Sequence, residues 1–190
     1  MGLWETLRAR SQPKRNNLDA LFLVPSAAIT LQTAAGFEPT GTGSVCYRSA
    51  AGAAFSEAQG DVVALIRDDA EAPEVTLTQD DFGFTWLVVD GDAADMSGLC
   101  TDLHAVNTTL EAQGFESGLL CSMIPFANNA GQHFGLVYLY KQGTFYAFAP
   151  TGEKTRDTML ELSVRDHLGA ELPMEQDLQR WMALWKAPGL

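Results

Sequence analysis

The chain has 190 residues, with 12 Lys and Arg against 24 Asp and Glu for a formal net charge of −12, and 46% of its residues are hydrophobic. A chain this long can bury most of its unfolded surface and needs neither disulfide nor metal to fold. The acidic balance excludes nucleic acid as a main partner, because phosphate binding needs clustered Lys and Arg, and it opposes non-specific adhesion of the body to anionic lipid.

The cysteines Cys46, Cys100 and Cys121 are odd in number and widely spaced, which is no disulfide framework and fits a reducing, cytosolic setting. The start of the chain lacks the apolar core of a signal peptide, and no apolar run of about 18 residues is read as a membrane span. A cytoplasmic protein is expected.

The first residues differ from the rest. Four bases (Arg8, Arg10, Lys14, Arg15) against Glu5 give this head a side-chain charge of +3, whereas the remaining 8 basic and 23 acidic residues carry −15. Leu3, Trp4 and Leu7 can share one face of a short helix beside Arg8 and Arg10, and "SQPKRNN" then breaks the pattern as a polar linker. Residues 1–17 are therefore predicted to be an appendage, and 18–190 a single domain. The head has no core of its own to enter, so it either touches a membrane or partner or folds back.

From Leu18, "LDALFLV" and "SAAITLQTAAG" read as helical, the second starting after Pro25 with Ser26 as cap and Gly36 as stop. "GTGSVCYR" reads as a strand and "AFSEAQGDVVALIRDD" as a helix despite Gly60. "EVTLTQ" alternates, "GFTWLVVD" is aromatic and β-branched, and "DDFG" between them predicts a hairpin turn. Asp95 caps the clearest helix, with Met96, Leu99, Leu103, Val106 and Leu110 on one stripe and Gly114 at its end. Three strands follow, "GLLCSMIPF", "FGLVYLY" and "TFYAFAP", the last two joined by "KQG". Leu160, Val164 and Leu168 before Gly169 predict another helix, and Met174, Leu178, Trp181, Met182 and Trp185 predict a final one. Neighbouring strands with helices between them favour an α+β domain: one mainly antiparallel sheet with α-helices packed on it.

No motif points to catalysis. Asp81-Phe82-Gly83 lacks the other kinase signatures, and "TGEKT" lacks the leading glycine of a phosphate loop, so both read as surface turns. Cys100 and His104 lie one helical turn apart but have no companions at zinc-ligand spacing. Cys121 and His133 make a nucleophile only if folding joins them, and a buried Cys121 is the plainer expectation. Asp68-Asp69 and Asp80-Asp81 read as solvated turn acids. Tyr146 and Phe148, with Phe134, Tyr138, Tyr140 and Phe145, read as sheet core or as a binding face, and Trp181 and Trp185 as the seam docking the last helix. No cofactor and no metal are expected.

Four long segments carry a further signal: "LDALFLVPSAAITLQTAAGFEPTGTGSVCYR", "DDFGFTWLVVDG", "VYLYKQGTFYAFAPTGEKTRD" and "ELPMEQDLQRWMALWKAPGL". In these the chain resembles the AB family of PspA-associated proteins, accessory members of phage-shock-type envelope stress systems. The resemblance implies a partner of the PspA coiled-coil type, sometimes beside a membrane metallopeptidase of the HtpX type, and an adaptor or regulator with no active-site residues to carry over. The peptidase's H-E-x-x-H pattern is absent here. The element order also resembles secretion-chaperone-like domains, an analogy of fold alone.

The expectation is thus a non-enzymatic interaction module of envelope stress control, cytoplasmic or peripheral at the inner membrane face, with at most weak lipid contact through Leu3, Trp4, Leu7, Arg8 and Arg10. Homodimer formation is left open. A small-molecule or peptide-binding domain, a cryptic enzyme, and a chaperone for unstructured client segments stand as alternatives.

Overall fold

The computed structural model describes residues 17–68 and 72–190. The candidate contact residues Leu3, Trp4, Leu7, Arg8 and Arg10 lie outside these residues, as does the linker up to Asn16. A 3-10 stretch, Leu18–Leu23, runs straight into α1 (Val24–Ala35). Pro25 sits in the first turn of α1, where its missing N–H costs nothing, so the expected break at Pro25 does not occur. Ser26 is accordingly no cap, and its hydroxyl donates to Glu171 at 3.1 Å. Gly36 does end the helix, at φ +70° with its N–H on Gln32 and Leu31 carbonyls.

Leu18–Ala35 is, by length and composition, apolar enough to cross a bilayer, which corrects the reading that no such run exists. Here it supplies core: Leu18, Ala20, Leu21, Val24, Ala27, Ala28 and Leu31 are buried, while Phe22, Leu23 and Ile29 face outward.

The strands are β1 (Glu38–Pro39), β2 (Thr42–Tyr47), β3 (Glu74–Gln79), β4 (Thr85–Asp90), β5 (Leu119–Ala127), β6 (His133–Leu139) and β7 (Thr144–Phe148). They form one seven-stranded antiparallel sheet in the order β3-β4-β2-β5-β6-β7, with the short β1 also paired to β5. A small hairpin, β8 (Pro150–Gly152) with β9 (Thr155–Arg156), carries "TGEKT". The remaining helices are α2 (Ala53–Ile66), α3 (Met96–Ala112) and α4 (Thr158–Leu168). The expected α+β class holds.

One sheet face is covered by helices. Every residue of the predicted α3 stripe is buried, and Asp95 caps the helix by accepting the Gly98 N–H at 2.8 Å. The stripe shares one hydrophobic core with Val45, Leu87, Val89, Ile124, Phe126, Leu136 and Tyr138 of the sheet. A polar bridge crosses this layer: the buried Asn107 amide donates to Leu103 O at 2.7 Å and Ser122 Oγ at 2.8 Å.

The other face is covered by a C-terminal strap without a helix. The predicted final helix is wrong, and the hydrogen bonds show why. Phe145 N–H donates to Pro173 O at 2.9 Å and Glu175 N–H to Phe145 O at 2.7 Å, so the chain first lies along the free edge of β7. A single 3-10 turn follows at Leu178–Arg180. Carbonyls that a helix would use are then claimed by side chains: Glu175 O by the Trp181 indole at 3.1 Å, Trp181 O by Arg156 at 3.0 Å and Met182 O by the Tyr146 hydroxyl at 3.0 Å. The apolar spacing imitates a helix, yet only Met174 and Trp181 of its five members are buried.

Candidate functional site

Period-2 alternation decides which side chains lie beneath the strap. Successive residues of a strand face opposite sides, so Trp86 and Val88, Cys46, Cys121 and Met123, Val137 and Leu139, and Tyr146 and Phe148 share the strap face. Trp181 stacks on Tyr146 with ring centroids 5.9 Å apart, and Trp185 meets Phe148 edge-on at 5.1 Å. Tyr146 and Phe148 are fully buried, Trp181 is buried and Trp185 half-buried, so the four named aromatics are core beneath and within the strap. Trp181 and Trp185 do dock the end of the chain, but as a strap and not as a helix.

Where the strap meets the β3–β4 hairpin, the covering is incomplete. A cavity of about 170 Å³ is lined by Cys46, Cys121, Trp86, Leu120, Leu184 and Trp185 among others, and opens at Asp80 and Phe82. It adjoins a wider groove of about 390 Å³ between the hairpin tip, the β8–β9 turn and the strap, walled by Asp80, Asp81, Phe82, Glu153, Lys154 and Lys186. The whole is an apolar slot with a charged mouth. A larger hollow of about 480 Å³ between α1, β1 and the start of α3 has mainly short side chains on its walls.

The hairpin side of the mouth is fixed by Asp80. Its carboxylate accepts the Phe82 and Phe84 N–H groups, each at 2.9 Å, and the Trp86 indole at 3.1 Å. Partial burial pulls its pKa up, but these donors outweigh it and hold the carboxyl below the usual carboxylate range. Gly83, at φ +83°, supplies the left-handed residue of this turn. The result lifts Phe82 into solvent at 73% exposure. On the strap side, Lys186 takes a left-handed φ of 61° and donates to Asp81 at 2.9 Å across the groove. That hydrogen bond and the Asp81 charge raise the Lys186 pKa.

A second anchor holds the strap's root. Glu161 is buried in α4, where it accepts Arg156 Nε at 2.7 Å and the Ala149 N–H at 2.9 Å. The same guanidinium lies 4.9 Å over the Phe148 ring. Glu175 is also buried and accepts the Thr144 hydroxyl at 2.8 Å and the Asp177 N–H at 2.9 Å. Its desolvation is outweighed by these donors and Arg180, so its pKa is lowered.

The fold does not join the pairs weighed for chemistry. Cys121 is opposite Leu139 in the β5–β6 ladder, whereas His133 begins β6 six residues earlier, about 20 Å along the strand. His133 lines a separate hollow with Pro150, Thr151 and Asp157. Cys100 is fully buried in the helix layer, while the half-buried His104 packs against Phe22 at 4.7 Å and reaches Asp19 at 3.3 Å. Among the described residues no group of three or more His, Cys, Asp or Glu side chains is placed to hold a metal.

Sequence reasoning missed two things here. The Asp80-Asp81 pair reads as solvated charge, yet Asp80 is the keystone of the turn. The indole six residues on was the available signal. Cys46 and Cys121 read as widely spaced single cysteines, yet they are direct partners across β2 and β5.

No curated protein and no solved structure matches the chain. A family model does: the one described as PspA associated protein B aligns with residues 1–189, nearly the full length, including the groove and the strap as far as Gly189. The chain belongs to the PspA associated protein B family.

Proposed function

We propose that this protein is a non-enzymatic adaptor or regulator of a PspA-type envelope stress response, acting through protein contacts. The observation that carries the reading is the family match over residues 1–189, whose description names association with PspA. The groove supports it in kind: aromatic walls, the projecting Phe82 and the exposed Leu178 and Met182 suit apolar side chains of a partner, and the paired charges at the mouth suit its polar rim.

The acidic body and basic head divide the work in this proposal. The body is repelled by anionic lipid, while Leu3, Trp4, Leu7, Arg8 and Arg10 touch the inner membrane face or a partner helix. A head this short contributes about 1 kcal/mol per base near the surface, so attachment is reversible and needs the PspA-type protein as a second contact. A membrane metallopeptidase of the HtpX type is the further partner, and the protein stays cytoplasmic when unattached.

The test is co-purification from membrane-stressed cells with the PspA-type protein present or deleted, using the full chain, a form lacking residues 1–15, and Phe82→Ala. The expected result is recovery of the PspA-type protein by the full chain and several-fold less by each variant. Recovery of neither PspA-type protein nor protease by the full chain removes the adaptor reading. Equal recovery without residues 1–15 removes the head from it.

A further inference from the structure

One row of residues crosses the strap face of the sheet: Thr78, Trp86, Cys46, Cys121, Leu139 and Thr144 are successive register partners from β3 to β7. Cys46 and Cys121 are therefore neighbours on adjacent antiparallel strands, pointing to the same side. Such partners have Cα atoms about 4.5–5.5 Å apart. A disulfide needs a Cα separation of about 4.4–6.8 Å, so it can form between them without moving either strand far. The neighbouring Cys121 side chain, and then burial, raise the Cys46 pKa, in keeping with two thiols on one side of adjacent strands.

Both residues line the cavity of about 170 Å³ that opens between the strap and the hairpin tip. One water occupies about 30 Å³ of liquid, so a hydroperoxide of two oxygens fits with room for the water it releases. Cys100 provides the contrast: it is fully buried, its pKa is pushed up to about 12 by burial alone, and it lines none of the described cavities.

We propose that Cys46 and Cys121 form a dithiol oxidation site, converted by a hydroperoxide entering the strap-face cavity into a cross-strand disulfide. In the first step the sulfur of one cysteine attacks the terminal oxygen of ROOH. An S–O bond forms, the O–O bond breaks, and ROH leaves carrying the thiol proton. The neighbouring thiol then attacks the sulfenic sulfur, forming S–S and breaking S–O, and water leaves with the second proton. Two thiols give up two electrons in all, and the peroxide is reduced to ROH and water. Because Cys46 keeps its proton, the reaction is slow and runs with peroxide in excess. The sheet register then favours closure of the second step over further oxidation of the sulfenic acid.

The experiment treats the full chain with excess hydrogen peroxide under native conditions, alkylates residual thiols in denaturant, and maps peptides by mass spectrometry. The expected product is a linked pair of peptides containing Cys46 and Cys121, lighter by two hydrogens and undone by a phosphine reductant. Cys100 should remain alkylated, its oxidation at least tenfold slower, which also reports that the protein stayed folded. In Cys46→Ser and Cys121→Ser the link is lost and a 1,3-dione traps sulfenic acid on the surviving cysteine, whereas Cys100→Ser still links. Should either Ser variant fold poorly, the wild-type map decides alone. Persistent alkylation of both cysteines overturns the site, as does sulfinic acid without a link, or linkage of Cys100 at a comparable rate.

Discussion

Arg156 binds Glu161 through Nε at 2.7 Å and, with its Nη1, reaches the carbonyl of Trp181 at 3.0 Å. One guanidinium thus ties β9, α4 and the strap together. Glu161→Ala leaves this partly buried cation without its carboxylate and the Ala149 N–H without its acceptor. Loss of one member of a buried pair costs about 3 kcal/mol. Urea unfolding should show the midpoint fall accordingly with an unchanged slope. A loss under about 1 kcal/mol means that the pair holds little.

Trp181 packs flat on Tyr146 and binds Glu175 O through its indole. Trp181→Ala should free the strap without unfolding the helix-covered face, because its contacts are all on the strap side. A buried Trp→Ala change costs about 3 kcal/mol. Amide exchange across residues 174–190 should accelerate about 100-fold while α3 keeps its protection. Equal loss of protection in α3 would show that the two faces open as one unit.

The depressed pKa of Asp80 sets the sign of an acid effect. A carboxylate held below its unfolded value contributes stability that is fully present above about pH 3.9, the unfolded value, and is lost as pH falls through the folded one. Trp86 emission should therefore change at a pH below that of an ordinary carboxylate. Asp80→Asn turns an amide donor toward the indole or backbone donors and should cost about 1 kcal/mol after solvent screening. Unaltered emission from pH 6 to pH 2 in the wild type would remove Asp80 as the keystone.

Asn107 joins α3 to β5 through Ser122. Asn107→Ala strands the buried Ser122 hydroxyl and should cost about 2 kcal/mol. Ser122→Ala added to it should recover part of that loss, because the pair then leaves no orphaned hydroxyl. Additive losses in the double variant would show that the two side chains do not depend on each other.

Much of the helix-covered half was legible because its signals are local. Asp95 caps α3, the stripe from Met96 to Leu110 lies within it, Gly114 follows just after its end at φ +85°, and Gly36 stops α1 as read. The strap half depends on distant partners. Met174, Leu178, Trp181, Met182 and Trp185 have helical spacing, and only the free edge of β7 and the reach of Arg156 and Tyr146 tell them otherwise. The facing of Cys46 and Cys121 follows from β2 pairing with β5, which no neighbouring residue announces. Ser26 fails as a cap because Pro25 starts a turn that the previous stretch has already begun.

The position of β2 gives the molecule an order of assembly. The β3–β4 hairpin and the β5–β6–β7 meander each close through short turns, so each is a ribbon that forms from nearby chain. Among the described residues β2 is the only strand paired to both, meeting β4 on one flank and β5 on the other, with Cys46 drawn to Trp86 and to Cys121. The entropy of closing those long loops is met before their contacts reward it, so the step expected to limit folding is the insertion of six residues, Thr42–Tyr47, between two locally closed ribbons.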